Sequence, residues 1–270
     1  MVPHSPSIPH PQSWSGRGLH AAWLGHSTVL LNIDGATVLT DPVFSARAGV
    51  HLGPLAIGIR RLVRPALRLI DLPKIDLILL SHAHFDHFDI PSLRRLESRG
   101  TAVVTAGRTA DLLRTRRYGF VRELGWGESV RVGPLEVKAF QVAHWGARMR
   151  GDTYRGYNGY TISGGRYRVL FGGDTAATTA FRRLRMARPY DLAIMPVGAY
   201  NPWIRNHCTP EQAWRMAEDA GCEFFLPVHH QTFPLSREPY FEPLERTQSA
   251  AGARQERVAV RRIGDEFRMN

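Results

Sequence analysis

Apolar and polar residues fall in short blocks along this chain, and most blocks have the length of a β-strand. Residues 20–40 (HAAWLGHSTVLLNIDGATVLT) form two β-rich halves around Asp34-Gly35. That dipeptide suits the positive backbone angles of a hairpin turn. Asp41-Pro42 ends the second half. IDLILL (75–80) is a continuous apolar run, the pattern of a strand buried on both faces. The spacing next predicts a short helix from Pro91 to Arg99 stopped by Gly100, a strand over TAVVTAG, and a helix over 108–117. Strands are expected at about 128–143 and, around Gly164-Gly165, at 157–171. DLAIMPVGA and CEFFLPV read as buried strands. Between them, Thr209-Pro210-Glu211 supplies an N-cap and a first-turn proline for a helix ending at Gly221. A helix near 243–253 and a last strand over VAVRRI close the pattern.

The stretch 44–72 has mixed periodicity. Within it, Arg60, Arg61, Arg64 and Arg68 stand among apolar residues. It reads as a loop or short helix covering the core, with a basic amphipathic segment as the alternative. Hairpins early and strand–helix alternation later predict sheets packed centrally with helices outside. The expected architecture is an α/β sandwich, a single domain over residues 19–270. Residues 1–18, rich in Pro, Ser and His, predict a flexible arm.

Composition narrows the function. A chain of 270 residues, 43% hydrophobic, is long enough to bury a core without disulfides. The formal net charge is +11, and of 35 basic residues only Lys74 and Lys138 are lysines. Arginine favours bidentate contact with phosphate and carboxylate, so the excess points to an anionic partner: a phosphoester, a nucleic acid or an anionic membrane surface. A preference for arginine codons accounts for it equally well. Cys208 and Cys222 stand alone with no CxxC, which excludes a disulfide scaffold and a thiolate zinc cluster. No apolar stretch reaches the roughly 20 residues of a membrane span. The N-terminus lacks the apolar core of a secretion signal, so the expected compartment is the cytoplasm.

Histidine carries the chemistry. Three of the twelve histidines fall in Ser81-His82-Ala83-His84-Phe85-Asp86-His87, directly after the buried run. A loop leaving a strand can curl so that His82 and His84 face one metal ion while Asp86 and His87 reach a second. Imidazole and carboxylate suit Zn²⁺, Fe or Mn²⁺. His144, Asp174 and His229 each follow a predicted strand and are the further ligand candidates.

HAHFDH resembles the HxHxDH motif of the metallo-β-lactamase superfamily, and the later His, Asp and His match its order. WLGHSTVLL, LTDPVFSAR, AHW with Arg148, GGDT, PVGAY, HCTPEQA and PVHHQTF are similar to the N-acylphosphatidylethanolamine-hydrolysing phospholipase D-like branch, to which the ascorbate-6-phosphate lactonase type is related. The resemblance implies an αββα sandwich with two divalent ions, zinc first and manganese or iron as alternatives. By it, His82, His84 and His144 hold one ion, Asp86, His87 and His229 the second, and Asp174 bridges. His230 stands where the family has tryptophan, which assigns the ligand to His229. A hydroxide between the ions would attack phosphorus or a carbonyl carbon, with Asp86 orienting it.

Weaker assignments complete the expected site. His26 lies near the centre by resemblance, and Asp41 would support a ligand histidine. His207 would touch substrate or protonate the leaving group. Trp145, Tyr200 and Trp203 would line an apolar pocket. The function expected is therefore a metal-dependent hydrolase of a phosphodiester, phospholipid-like substrate, with a lactonase or small-ester hydrolase as the alternative. The partner is an anionic small molecule or lipid, with peripheral membrane contact and self-association as further expectations. Nucleic-acid processing is disfavoured because no inserted domain fits between His144 and Asp174. An iron-dependent redox enzyme is the remaining alternative.

Overall fold

The first apolar block folds as a meander of β1 (Leu19–Gly25), β2 (Thr28–Ile33) and β3 (Ala36–Thr40), in a computed structural model that describes residues 2–53, 55–113 and 117–270. Asp34 and Gly35 make its second turn with φ of 48° and 92°, the left-handed pair such a hairpin needs. β4 (Arg47–Leu52) and β5 (Leu55–Arg60) then pair only with each other. β6 (Leu77–Leu80), α1 (Ile90–Arg95), β7 (Ala102–Ala106) and β8 (Phe120–Leu124) follow. The second half contains β9 (Ser129–Val132), β10 (Leu135–Phe140), β11 (Gly159–Gly164), β12 (Tyr167–Phe171), β13 (Tyr190–Pro196), α2 (Pro210–Ala220), β14 (Cys222–Val228), α3 (Glu242–Ala251) and β15 (Glu266–Met269).

Two mixed sheets result. One runs β15-β1-β2-β3-β6-β7-β8, the other β14-β13-β12-β11-β10-β9. Their inner faces meet in one apolar core that includes Leu30, Val38, Ile78, Val104, Val137, Ile162, Val169 and Ile194. β6 and β13 are buried throughout, as continuous apolar runs require. β10 alternates, with Leu135, Val137 and Ala139 inside and Glu136 and Lys138 outside. On the outer face of the second sheet, Trp214, Met216 and Ala217 of α2 pack with Met195 and Phe225. α1 covers the first sheet through Leu93. The layers are αββα, the sandwich expected.

Helix α2 is capped as its sequence dictates. Thr209 Oγ1 accepts from Gln212 N, and Gly221 closes the helix with φ of 79°. Elsewhere the chain departs from expectation. The 44–72 stretch is neither loop nor short helix at its centre but the β4–β5 ribbon. Helix α1 stops at Arg95, four residues early, with Leu96 N shared between Ser92 O and Leu93 O in a tightened last turn. The helix expected over 108–117 is a 3-10 turn, Ala110–Leu113, whose first amides bond Glu123 Oε1 of β8. Residues 114–116 of that expectation lie outside the described residues. VAVRRI is not a strand. Val258 makes one bridge to Phe225, and Asp265 Oδ2 then accepts from Arg261 N and Arg262 N, turning the chain into β15. β8 had no clear signal, being an exposed edge strand with a single buried residue, Leu124. Residues 2–18, expected as an arm, lie along the body. Ser7 N bonds Ile263 O, and Trp14 Nε1 bonds Glu266 Oε1 at 3.0 Å.

Candidate metal centre

Strand ends assemble the site. His26 follows β1, Asp41 β3, His82 β6, His144 β10, Asp174 β12 and His229 β14, each beyond the carboxyl end of its strand. His26, Asp41 and His229 have φ of 51°, 32° and 65°. Left-handed backbone costs a non-glycine residue roughly 1–2 kcal/mol, so the surrounding packing holds these turns in place.

The donor atoms form two groups. In the first, His82 Nε2 lies 2.8 Å from His84 Nδ1, which is 3.4 Å from His144 Nε2. In the second, His87 Nε2 and His229 Nε2 each lie 3.5 Å from Asp86 Oδ2. Asp174 Oδ2 stands between them, 3.1 Å from His229, 3.2 Å from His87, 3.8 Å from His144 and 3.9 Å from His82. The structure thus brings together the seven side chains expected as ligands. His230 turns away and stacks on Trp23, ring centroids 4.5 Å apart. His87 Nε2 and His229 Nε2 are buried and face the carboxylates without hydrogen-bond geometry. Buried polar atoms left without a partner in this way cost about 1–3 kcal/mol each. A divalent cation would satisfy them, and the donor set suits zinc, iron or manganese.

The outward nitrogens are anchored. His87 Nδ1 donates to Asp41 Oδ2 at 2.7 Å, and His144 Nδ1 to the Asn206 carbonyl at 2.8 Å. Ser81 Oγ donates to Asp41 and accepts from His82 Nδ1 at 2.9 Å. These bonds set the tautomers so that each opposite nitrogen offers its lone pair inward. Asp41 therefore orients His87 directly and His82 through Ser81. His26 Nε2 donates to Asp86 Oδ2 at 2.9 Å. His207 sits at the rim, Nδ1 3.8 Å from Asp174 Oδ2 and its ring 5.2 Å from those of His144 and His229.

Burial and mutual charge split the histidines. Burial pushes His26 and His144 down to about 3 and His207 to about 4. For His229 burial is outweighed by the Asp174 charge, which raises it to about 9. His87 is raised likewise by Asp174 and Asp86 against burial. Asp86 and Asp174 are held well below the usual carboxylate range, with burial overcome by neighbouring imidazoles. Burial raises Asp41, against its bonds from His87 and Ser81.

The aromatic expectations divide. Trp145 is exposed and meets His84 edge-on, centroids 4.6 Å apart, so it stands at the mouth. Tyr200 is buried and Trp203 exposed, each tied to its own local partners. Tyr200 donates to Glu242 Oε1 at 2.6 Å. Trp203 is exposed, and its carbonyl accepts from Asn206 N and His207 N, folding the loop that presents both. Arg148 has a larger role than its place in the sequence suggested. Its Nη1 donates to Ala83 O at 2.9 Å and Phe88 O at 2.8 Å, and its guanidinium lies over Phe85, clamping the HAHFDH loop. Only the AHW…Arg148 resemblance could have flagged it.

Comparison with known proteins agrees with this geometry. Residues 36–230 match the profile of the β-lactamase superfamily domain. An uncharacterized protein of Mycobacterium tuberculosis is 36% identical over 253 residues, covering 90% of this chain, which spans only 66% of that protein's length. N-acyl-phosphatidylethanolamine-hydrolyzing phospholipase D 1 of Caenorhabditis elegans is 31% identical over 267 residues, with 90% of this chain and 72% of that one covered. Among solved structures, a metallo hydrolase from the archaeon Ignicoccus hospitalis superposes with a TM-score of 0.70 at 20% identity, covering 94% of this chain and 99% of that one.

Proposed function

The chain belongs to the β-lactamase superfamily, and from that premise we propose that it is a metal-dependent hydrolase that cleaves a phosphodiester of phospholipid type at a centre of two divalent ions, most simply zinc. One observation carries the two-ion reading: two groups of three donor side chains flank a single carboxylate oxygen, Asp174 Oδ2. His82, His84 and His144 would hold one ion, and Asp86, His87 and His229 the other. Divalent ions in such sites supply Lewis acidity and an activated water near neutral pH. The similarity to the nematode phospholipase supports a phosphodiester over other acyl or phosphoryl substrates.

The chain's own residues do the positioning. Asp41, Ser81 and the Asn206 carbonyl fix the imidazoles before substrate arrives. Asp86 Oδ2, shared by His26, His87 and His229, orients the attacking water. His207 at the rim offers an N–H to a substrate oxygen. Trp145 at the mouth covers the entering group. An anionic substrate is drawn by the centre itself, so the arginine excess is not needed there.

Metal analysis of the purified chain, coupled to a panel of bis-p-nitrophenyl phosphate, an N-acylphosphatidylethanolamine and simple lactones, tests this. We expect about two zinc ions per chain. Phosphodiester turnover should vanish on chelation and drop about 100-fold or more in Asp86→Asn. Lactone opening with no phosphodiester cleavage would replace this reading with a lactonase. Stoichiometric iron with oxygen consumption on a persulfide would replace it with a redox enzyme.

A further inference from the structure

The β4–β5 ribbon belongs to neither sheet of the sandwich. Its register pairs Ala48 with Ile59, Val50 with Ile57 and Leu52 with Leu55. Directly opposed residues share a face, so these six side chains form one apolar ladder. At the root, Ala48 is buried with Val43 and Phe233, against Phe85 and Leu235. Beyond it, Val50, Leu52, Leu55, Ile57 and Ile59 are between 38% and 60% exposed. The other face carries Arg47 opposite Arg60, Gly49 opposite Gly58 and His51 opposite Ala56. Five large apolar side chains in a row on a projecting ribbon call for a covering partner.

Charge identifies the partner. From Pro42 to Ile70 the sequence holds Arg47, Arg60, Arg61, Arg64 and Arg68 and no aspartate or glutamate. Arg61 is spent on structure: buried, it donates to the carbonyls of Val43, Ser45 and Val63 and lies over Phe233. Arg60, exposed, and Arg47, half-buried, stand at the root of the ribbon on the face opposite the ladder, and Arg64 is exposed where the chain leaves it. An apolar ladder backed at its root by arginine, on a segment without acidic residues, matches an anionic lipid surface. A second copy of this chain fits worse, because a symmetric contact brings the same arginines together between chains of net charge +11.

We propose that the β4–β5 ribbon is a membrane-docking element that inserts its apolar ladder into the interface of an anionic bilayer. No helix among the described residues is long and apolar enough to cross a membrane, so the contact is peripheral. Position gives it consequence. Phe85 lies inside the HAHFDH loop, Phe233 and Leu235 follow His229, and Leu62 N bonds Thr232 O at 2.7 Å. The ribbon therefore rises beside two of the loops that form the metal centre. Docking would set the centre at the lipid surface, where, on the phospholipid reading above, its substrate lies. The docking itself stands whether or not the centre cleaves phosphodiesters.

The test uses the full chain and vesicles of phosphatidylcholine with or without phosphatidylglycerol. Cosedimentation should require the anionic lipid and weaken with salt. The double variant L52E/I57E should lose about tenfold or more of that binding, and R47Q/R60Q should lose part of it. Cys208 and Cys222 are buried, so L52C presents an accessible thiol. A polarity-sensitive dye there should shift to the blue on anionic vesicles alone. Hydrolysis of water-soluble bis-p-nitrophenyl phosphate should be unchanged in L52E/I57E, which also reports that the variant folds. Absent vesicle binding, binding retained in L52E/I57E, or a wild-type dimer that this variant dissociates would each overturn the proposal. Vesicle binding without phosphodiester turnover would leave the docking intact and remove only the function proposed above.

Discussion

Asp41 is the carboxylate through which two candidate ligands are aimed. It is fully buried, with one oxygen on Ser81 N and the other on His87 Nδ1 and Ser81 Oγ. The Asn variant keeps the shape but not the charge, and its amide can face His87 N–H with a donor instead of an acceptor. We expect Asp41→Asn to weaken zinc binding about 10- to 100-fold, read by competition against a chelator of known affinity. Unchanged affinity would remove Asp41 from the support of the centre. This residue scale was the most legible in the sequence. Metal-binding side chains cannot be exchanged freely, so HAHFDH and the single residues His144, Asp174 and His229 stood out by type and by their place after strands. Arg148 was marked only as part of the AHW resemblance, without a role, and the Asn206 carbonyl not at all. One acts through its reach over Phe85, the other through a backbone carbonyl, and neither leaves a mark in spacing.

Elements were legible where local chemistry decides them. Asp34-Gly35 makes its turn and Thr209-Pro210 starts its helix because those residues satisfy backbone requirements within four positions. The exposed half of the fold was harder to read. β8 pairs along β7 with mostly exposed side chains, and β4–β5 alternates apolar with polar positions but is interrupted by Gly49, Gly53 and Gly58, so neither reads plainly as a strand. The VAVRRI run was misread because its apolar residues pack singly against β14 and the sandwich core rather than in a ladder. The cap of α2 supports a prediction at this scale. Thr209 and Gln212 bond each other's backbone amides, so Thr209→Ala should destabilise the chain by about 1 kcal/mol. Urea unfolding should show this as a lower midpoint with an unchanged slope. A change below about 0.3 kcal/mol would mean that packing of Trp214 and Met216 alone holds the helix.

The molecule as a whole closes two sheets over one core and gathers the buried histidines and carboxylates of the metal centre at one edge. That placement links metal binding, proton binding and stability. In the metal-free chain His229 is raised to about 9 by Asp174 in spite of burial, and His87 is raised in the same sense. Near pH 7 His229 then carries a proton in the fold. The stability this charge supplies is fully present below the unfolded histidine value of about 6.5 and is lost as pH rises through about 9. Chelated protein should therefore lose thermal stability between pH 7 and 9.5. Metal-loaded protein, whose imidazoles are already deprotonated by coordination, should not follow that slope. Loading must also displace these protons. Calorimetric titration of the chelated chain with zinc at pH 7.5, in buffers of different ionisation enthalpy, should show at least about one proton released per chain, shrinking above pH 9. Zinc uptake without proton release at pH 7.5, together with flat stability of the chelated chain to pH 9.5, would show that His87 and His229 are neutral in the free site. Asp86 would then keep its bond from His26, while Asp174 would stand among neutral imidazoles as the one carboxylate of the centre that only a cation could neutralise.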